Sequence, residues 1–258
     1  MCGTCGCSDH SKHHHHDHDH DHEHHHHDHA HDHEHHHHHH DAEQERIAVE
    51  IELLSKNNLI AERNRGYFEA KEICAFNMMS SPGSGKTTLL EKTVSMLKDK
   101  LSICVVEGDQ QTTNDADRIK AAGAKAIQIN TGTGCHLEAE MVNNAVKELK
   151  PADKSLLFIE NVGNLVCPAM FDLGEKYKVV VVSTTEGDDK PLKYPQMFYK
   201  ADICVINKID LAPYLKTNIE VLKANILKVN HHLQIFEVSA ESGAGMDKWC
   251  DFLAKQVE

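Results

Sequence analysis

No stretch of the chain stays apolar over the ~18 residues that a membrane span needs. The opening residues, Met1-Cys2-Gly3-Thr4 and then histidine and aspartate, lack the apolar core of a secretory leader. Both absences lead us to expect a cytoplasmic protein without a membrane span. Basic residues are also scarce: 27 Lys and Arg face 40 Asp and Glu, for a net charge of −13. With no basic stripe, nucleic acid is not an expected partner. The acidity is uneven, since residues 1–45 hold eleven acids and only Lys12, a net −10, and leave −3 for the rest. Disulfides are excluded by a reducing compartment, so the nine cysteines are expected as thiols and the clustered ones as metal ligands.

Three regions follow from composition. Residues 1–7 read M-C-G-T-C-G-C. Residues 8–41 are almost wholly His, Asp and Glu, and 21 of the chain's 24 histidines lie between His10 and His40. Such a segment has no apolar side chains to bury and is expected to be a disordered metal-binding tail. Residues 42–258 read as one globular domain. Its first part, 42–65, places Ile47, Val49, Ile51, Leu53, Leu54 and Ile60 near helical spacing, predicting an amphipathic helix that Gly66 ends. Strands are then expected at 73–79, 102–106, 124–129, 156–159, 178–183, 203–206 and 234–238. Helices are expected at 86–98, 114–122, 137–147, 215–228 and 246–255. This alternation predicts an α/β fold, a mainly parallel sheet flanked by helices, with ligands at the carboxyl ends of the strands.

Ser80-Ser81-Pro82-Gly83-Ser84-Gly85-Lys86-Thr87-Thr88 follows the first strand and opens a helix, as a phosphate-binding loop must. The glycines of the loop Pro82–Thr88 let backbone N–H groups, from Gly83 onward, turn toward phosphate oxygens, and the helix N-terminus adds positive potential. Lys86 would reach the β- and γ-phosphates and Thr87 would ligate Mg²⁺. Ser80 stands where the general pattern has glycine. Farther on, Asn207-Lys208-Ile209-Asp210 matches the N-K-x-D element of guanine recognition. A carboxylate only accepts, and Asp210 can accept from guanine N1–H and the 2-amino group, donors that adenine lacks. Asn207 would brace the loop and Lys208 lie on the base, while Ser239-Ala240 resembles the element whose backbone N–H meets guanine O6. Two acidic strand ends complete the set. Glu160-Asn161-Val162-Gly163 resembles D-x-x-G with Glu160 serving Mg²⁺ and Gly163 sensing the γ-phosphate. In Glu107-Gly108-Asp109, Asp109 is a Mg²⁺ ligand or a loop cap.

Cys2, Cys5 and Cys7 can converge on one ion. Three thiolates with the terminal amine suit square-planar Ni²⁺, while a tetrahedral set would suit Zn²⁺, and spacing does not choose. Cys135, His136 and Cys167 fall in loops at the nucleotide end of the sheet and are weaker candidates. Cys74, Cys104, Cys204 and Cys250 lie in apolar segments and are expected to pack.

Together, C-x-x-C-G-C, S-S-P-G-S-G-K-T-T, E-G-D-Q-Q-T-x-N-D-A-D-R-I, G-C-H-L, E-N-V-G-N-L-V-C-P and N-K-I-D-L-x-P-Y resemble the HypB family of hydrogenase maturation GTPases. The resemblance covers residues 42–258 and the first seven. It implies a P-loop NTPase fold of the SIMIBI class, GTP hydrolysis with Mg²⁺, and delivery of nickel to a [NiFe]-hydrogenase. It implies a nickel site at Cys2, Cys5 and Cys7 and a nickel or zinc site at Cys135, His136 and Cys167. It also implies a GTP-promoted homodimer, the nickel metallochaperone HypA as partner, and the hydrogenase large-subunit precursor as client. Ser80 agrees with this family. The His tract is expected to buffer or store nickel. Competing readings are a urease accessory GTPase of the UreG type and a nickel storage protein.

Overall fold

The computed structural model describes residues 38–109 and 114–257. The motif at Cys2, Cys5 and Cys7 and the His tract lie outside the described residues. The chain divides into two units, Met1–Glu52 and Leu53–Glu258, and everything below that concerns the sheet belongs to the second.

Helix α1 (His38–Ala70) leads into strand β1 (Cys74–Ser80). Then follow α2 (Lys86–Leu97), β2 (Ile103–Asp109), α3 (Asn114–Ala122), β3 (Lys125–Asn130) and α4 (Ala139–Leu149). Next are β4 (Leu156–Glu160), the short α5 (Cys167–Met170), β5 (Tyr177–Ser183), α6 (Lys190–Lys193) and α7 (Pro195–Lys200). The chain closes with β6 (Ile203–Asn207), α8 (Ile219–Val229), β7 (Gln234–Glu237) and α9 (Met246–Ala254). All strand pairs are parallel, and the seven lie in the order β3-β2-β4-β1-β5-β6-β7.

Strands β1, β4, β5 and β6 are buried on both faces, which is why they read as continuous apolar runs. Their side chains alternate between faces. Phe76, Phe158 and Trp249 pack on one face under α2 and α9, and Ala75, Leu157 and Val142 on the other under α4. Neighbouring strands β1 and β5 lie on either side of a change in winding direction, so their carboxyl ends open a crevice.

The expected strands and the five expected helices of the domain are present within a few residues. The short helices α5 to α7 carried no periodic signal, being four to six residues long. Helix α1 differs in two ways. It runs on through Gly66 to Ala70, and the left-handed residue at its exit is Glu72, at φ 53°. Phe68 is buried, and its carbonyl accepts from the Ile73 N–H at 2.9 Å, so the chain is anchored beyond the glycine. The buried stripe is also not the apolar one. Of the expected face Ile47, Val49, Ile51 and Leu53 are exposed and Leu54 and Ile60 half-buried, whereas Asn57, Ala61, Asn64 and Phe68 are buried.

Candidate functional site

The loop between β1 and α2 has the phosphate-binding shape. Gly85 sits at φ 90°, and a Cβ there would lie 2.7 Å from Asn207 Nδ2, so only glycine fits. Ser80 explains its own departure from the general pattern. Its Oγ accepts from Lys86 Nζ at 2.8 Å and so fixes the ammonium at the base of the loop, at the end of the first strand. Ser81 Oγ donates to Glu186, whose other oxygen accepts from the Ser183 N–H at 2.9 Å. The Thr184-Thr185-Glu186 turn after β5 thereby buttresses the loop, a contact that no sequence motif announced.

Asn207 draws together the elements expected to hold the base. Its Nδ2 donates to the Ser84 carbonyl at 3.0 Å, and its Oδ1 accepts from Lys208 N at 2.8 Å and Ala240 N at 3.2 Å. The Ala240 N–H is thus engaged with Asn207 in this structure. Lys208 Nζ reaches over the loop to the Gly83 carbonyl at 2.7 Å. Ser239 is fully buried and its Oγ accepts from Ser242 N at 3.0 Å. Asp210 keeps one buried carboxylate oxygen without a hydrogen-bond partner, which suits a ligand that brings donors.

A cleft of about 530 Å³ runs from Pro82–Thr88 past Glu107, Asp109 and Arg118 to Glu160 and Gly163. Thr87 Oγ1 donates to Glu160 Oε1 at 2.8 Å. Glu107 and Glu160 stand side by side in register on β2 and β4, both buried. Burial raises the Glu107 carboxyl above the usual range, and the neighbouring Glu160 charge adds to it. Burial likewise raises Glu160, against the pull of Lys86. Each keeps one buried oxygen without a hydrogen-bond partner. Hydroxyl and carboxylate oxygens with such orphans form a hard donor set that fits Mg²⁺. The sequence shows Glu107 only as one of two acids in a strand-end triplet; its place opposite Glu160 comes from the pairing of β2 with β4. Arg118, bridging Glu91 and Asp115 at 2.6 and 3.0 Å, was missed in the sequence.

Cys135, His136 and Cys167 come together. Their ligand atoms all lie within 4.8 Å of one another, the one such grouping of three or more among the described residues. Soft-metal bonds of ~2.0–2.3 Å place two ligands of one ion within this range. His136 is stacked on Phe171, with ring centroids 3.8 Å apart, and its Nδ1 lies 3.5 Å from Cys135 Sγ. Burial lowers its pKa, with Glu138 opposing, which favours the neutral ring that ligates. The other four described cysteines are buried, as their apolar surroundings implied.

Asn161 joins the two halves. Its Oδ1 accepts from Val162 N at 3.0 Å and from Leu137 N, next to His136, at 3.1 Å. Its Nδ2 donates to Asn77 Oδ1 at 3.2 Å, and Asn77 donates in turn to Glu175 at 3.1 Å. The loop following β4 is therefore tied to the loop that bears Cys135 and His136.

Residues 75–237 match the family model described as CobW/HypB/UreG, nucleotide-binding domain. A hydrogenase maturation factor HypB of Rhizobium leguminosarum is 59% identical over 207 residues, 80% of this chain and 69% of that protein. The crystal structure of the hydrogenase maturation factor HypB from Archaeoglobus fulgidus superposes with a TM-score of 0.74 at 41% identity, covering 80% of this chain and all of the other. HypB from Helicobacter pylori, solved in complex with nickel, gives 0.72 at 40%, covering 78% and 94%. At 15% identity and a TM-score of 0.51, covering 71% of this chain and 46% of the other, the signal recognition particle 54 kDa protein of Aeropyrum pernix shares the fold alone.

Proposed function

The chain belongs to the HypB hydrogenase maturation factors of the CobW/HypB/UreG family, and on that premise we propose that it hydrolyses GTP to GDP and phosphate in order to deliver nickel to a [NiFe]-hydrogenase. One observation supports this reading above the others. A cleft with a phosphate-binding loop and a soft N/S metal triad lie at the same end of one sheet, joined by residues 160–167.

In this reading Lys86 neutralises the phosphate chain from within the loop, and Asp210 selects guanine by accepting its two donors. Thr87 and Glu160, with Glu107 and Asp109 at the neighbouring strand end, would hold Mg²⁺, which when bound would screen charge developing on the phosphates. Gly163 N–H contacts the γ-phosphate. When that phosphate leaves, the contact is lost and the loop shifts. The loop ends at Cys167, while Cys135 and His136 stand on another strand end, so a shift alters one ligand's distance from the other two. A soft site that loses a thiolate releases its ion. Nickel is thus cargo: taken up at Cys2, Cys5 and Cys7 or from HypA, held at the triad in a GTP-promoted homodimer, and passed to the large-subunit precursor. Zinc is the competing occupant of the triad. The His tract buffers nickel in the cytoplasm.

A maturation assay in a strain lacking this protein tests the proposal. Hydrogenase activity is expected to be lost, to return with excess nickel, and to return without it on re-expression of the chain. Loss of urease with hydrogenase intact would move the client to urease, and metal release indifferent to GTP would make the protein a store.

A further inference from the structure

Helix α1 carries two asparagines on its buried face, Asn57 and Asn64, seven residues and so about two turns apart. They are 6% and 1% exposed, on a helix whose Leu53 and Leu59 face water. Burying amides in place of leucines is unfavourable unless each finds partners, and both do so in the same manner. Asn57 Oδ1 accepts from Ala139 N at 2.9 Å, while its Nδ2 donates to the Asp172 carbonyl at 2.7 Å. Asn64 Nδ2 donates to the Ala139 carbonyl at 2.9 Å and to the Leu173 carbonyl at 3.0 Å, and its Oδ1 accepts from Asn143 at 2.7 Å. Each amide spans the same two segments. Ala139 lies three residues after His136, and Asp172 and Leu173 lie just beyond the short helix that Cys167 opens.

Two further features fix the arrangement. Glu138, at the start of α4, makes no side-chain cap, so the α4 N–H at Ala139 is satisfied from α1 instead. Gly174 lies so close to α1 that a Cβ would sit 2.6 Å from the Ala61 carbonyl. The two ligand-bearing segments share no strand with each other. Their separation is set by what bridges them, and on this side the bridge is α1.

We propose that Asn57 and Asn64 are positioning residues for the metal triad: a clasp on α1 that holds the Cys135-His136 segment at ligating distance from the Cys167 segment. The proposal rests on the triad's being a metal site. It goes beyond that reading by placing control of metal affinity on a helix that contributes no ligand. Displacing α1 loosens both bridges together and opens the site without any change in nucleotide.

The isosteric change Asn57→Asp keeps the acceptor for Ala139 and loses the donor to Asp172, while Asn64→Asp loses both donor bonds. Both are made in the full chain with Cys2→Ser, Cys5→Ser and Cys7→Ser, loaded with GDP and titrated with cobalt(II). Imidazole and carboxylate give no thiolate charge-transfer band, so the band reports Cys135 and Cys167 in the presence of the His tract. Apparent cobalt affinity is expected to fall at least about tenfold in each variant, as for the loss of groups that orient ligands. Affinity for a fluorescent GDP is expected to stay within about twofold of the parent, since outer-shell contacts of one site do not serve the other. Parent-like cobalt affinity in both variants overturns the clasp, as does a parallel fall in GDP affinity, which would mark general loosening. Should the aspartate variants not fold, Asn143→Ala decides. It frees only the outer brace of Asn64, and a weakened band supports the clasp while an unchanged one overturns it. Cys135→Ser together with Cys167→Ser separates the two levels: a band that survives loss of both thiols refutes the metal site itself.

Discussion

Asp210 is the residue on which the choice of base would turn. Its orphaned, buried oxygen is costly to desolvate unless a donor arrives, and guanine supplies two where adenine supplies none. Asp210→Asn exchanges an acceptor for a donor. GTP binding is expected to weaken by about 1–3 kcal/mol, while xanthine nucleotide, with an accepting 2-oxo group, gains affinity. Competition binding with GTP, ATP and XTP checks both directions, and equal turnover of GTP and ATP by the unaltered protein would refute the assignment. Cysteines divide at the same scale. Burial pushes the Cys74 and Cys250 thiols up to about 11 and raises Cys104 and Cys204 as well. Since the thiolate is the nucleophile, these four are expected to label with maleimide only after denaturation, and Cys135 in the native, metal-free chain. Peptide mapping of native and unfolded protein reads this directly. Residues of this kind were legible in advance, because Lys86, Asn207 and the apolar cysteines carry their meaning in immediate sequence neighbours. Glu107 was not, because its role depends on standing opposite Glu160 across a strand pair, which spacing along one chain does not reveal.

Helix α1 and the loop after β4 show the same limit for elements. Hydropathy scored Ile47, Val49, Ile51 and Leu53 among the buried face, yet burial follows what the neighbours offer. The neighbours are loop backbones with unmatched N–H and C=O groups, and asparagine satisfies these where leucine does not. The strands were legible because parallel strands buried on both faces leave an unbroken apolar run. Asn161 is the corresponding joint between nucleotide and metal. Asn161→Ala strands Leu137 N, Val162 N and Asn77 Oδ1 in a fully buried setting. A loss of about 1–3 kcal/mol in unfolding free energy is expected. The more telling readout is nickel affinity in GDP and in a non-hydrolysable GTP analogue, with Cys2, Cys5 and Cys7 replaced by serine. We expect the two states to differ in the parent and to converge in Asn161→Ala. Linkage requires nickel to alter nucleotide affinity by the same factor, so identical affinities in the parent would end the coupling, and a preserved difference in the variant would place it elsewhere.

For the whole molecule, the charge distribution separates two tasks. Residues 1–45 hold −10 of the net charge, and the rest is near neutral. The sheet, the cleft and the triad all lie in the unit Leu53–Glu258. An imidazole-rich segment with interleaved carboxylates attracts divalent cations at neutral pH, where the ring is unprotonated. A free imidazole titrates near pH ~6.5. Protons therefore compete with nickel below that value, and the tract's capacity is expected to be high near pH 7.5 and mostly lost near pH 5. The domain triad depends on two thiolates and one histidine, so it contributes one ion to the total while the tract contributes several. Deleting residues 10–40 is expected to remove the several, leave the ions held at the triad and at Cys2, Cys5 and Cys7, and leave GTP turnover unchanged, because none of the cleft residues lies in that span. Equilibrium dialysis with nickel at the two pH values, beside a phosphate-release assay on the same preparations, separates the outcomes. If the deletion stopped nucleotide turnover, the tract would be part of the GTPase and not a buffer attached to it. If nickel stoichiometry did not change, the histidines would be spectators despite their number.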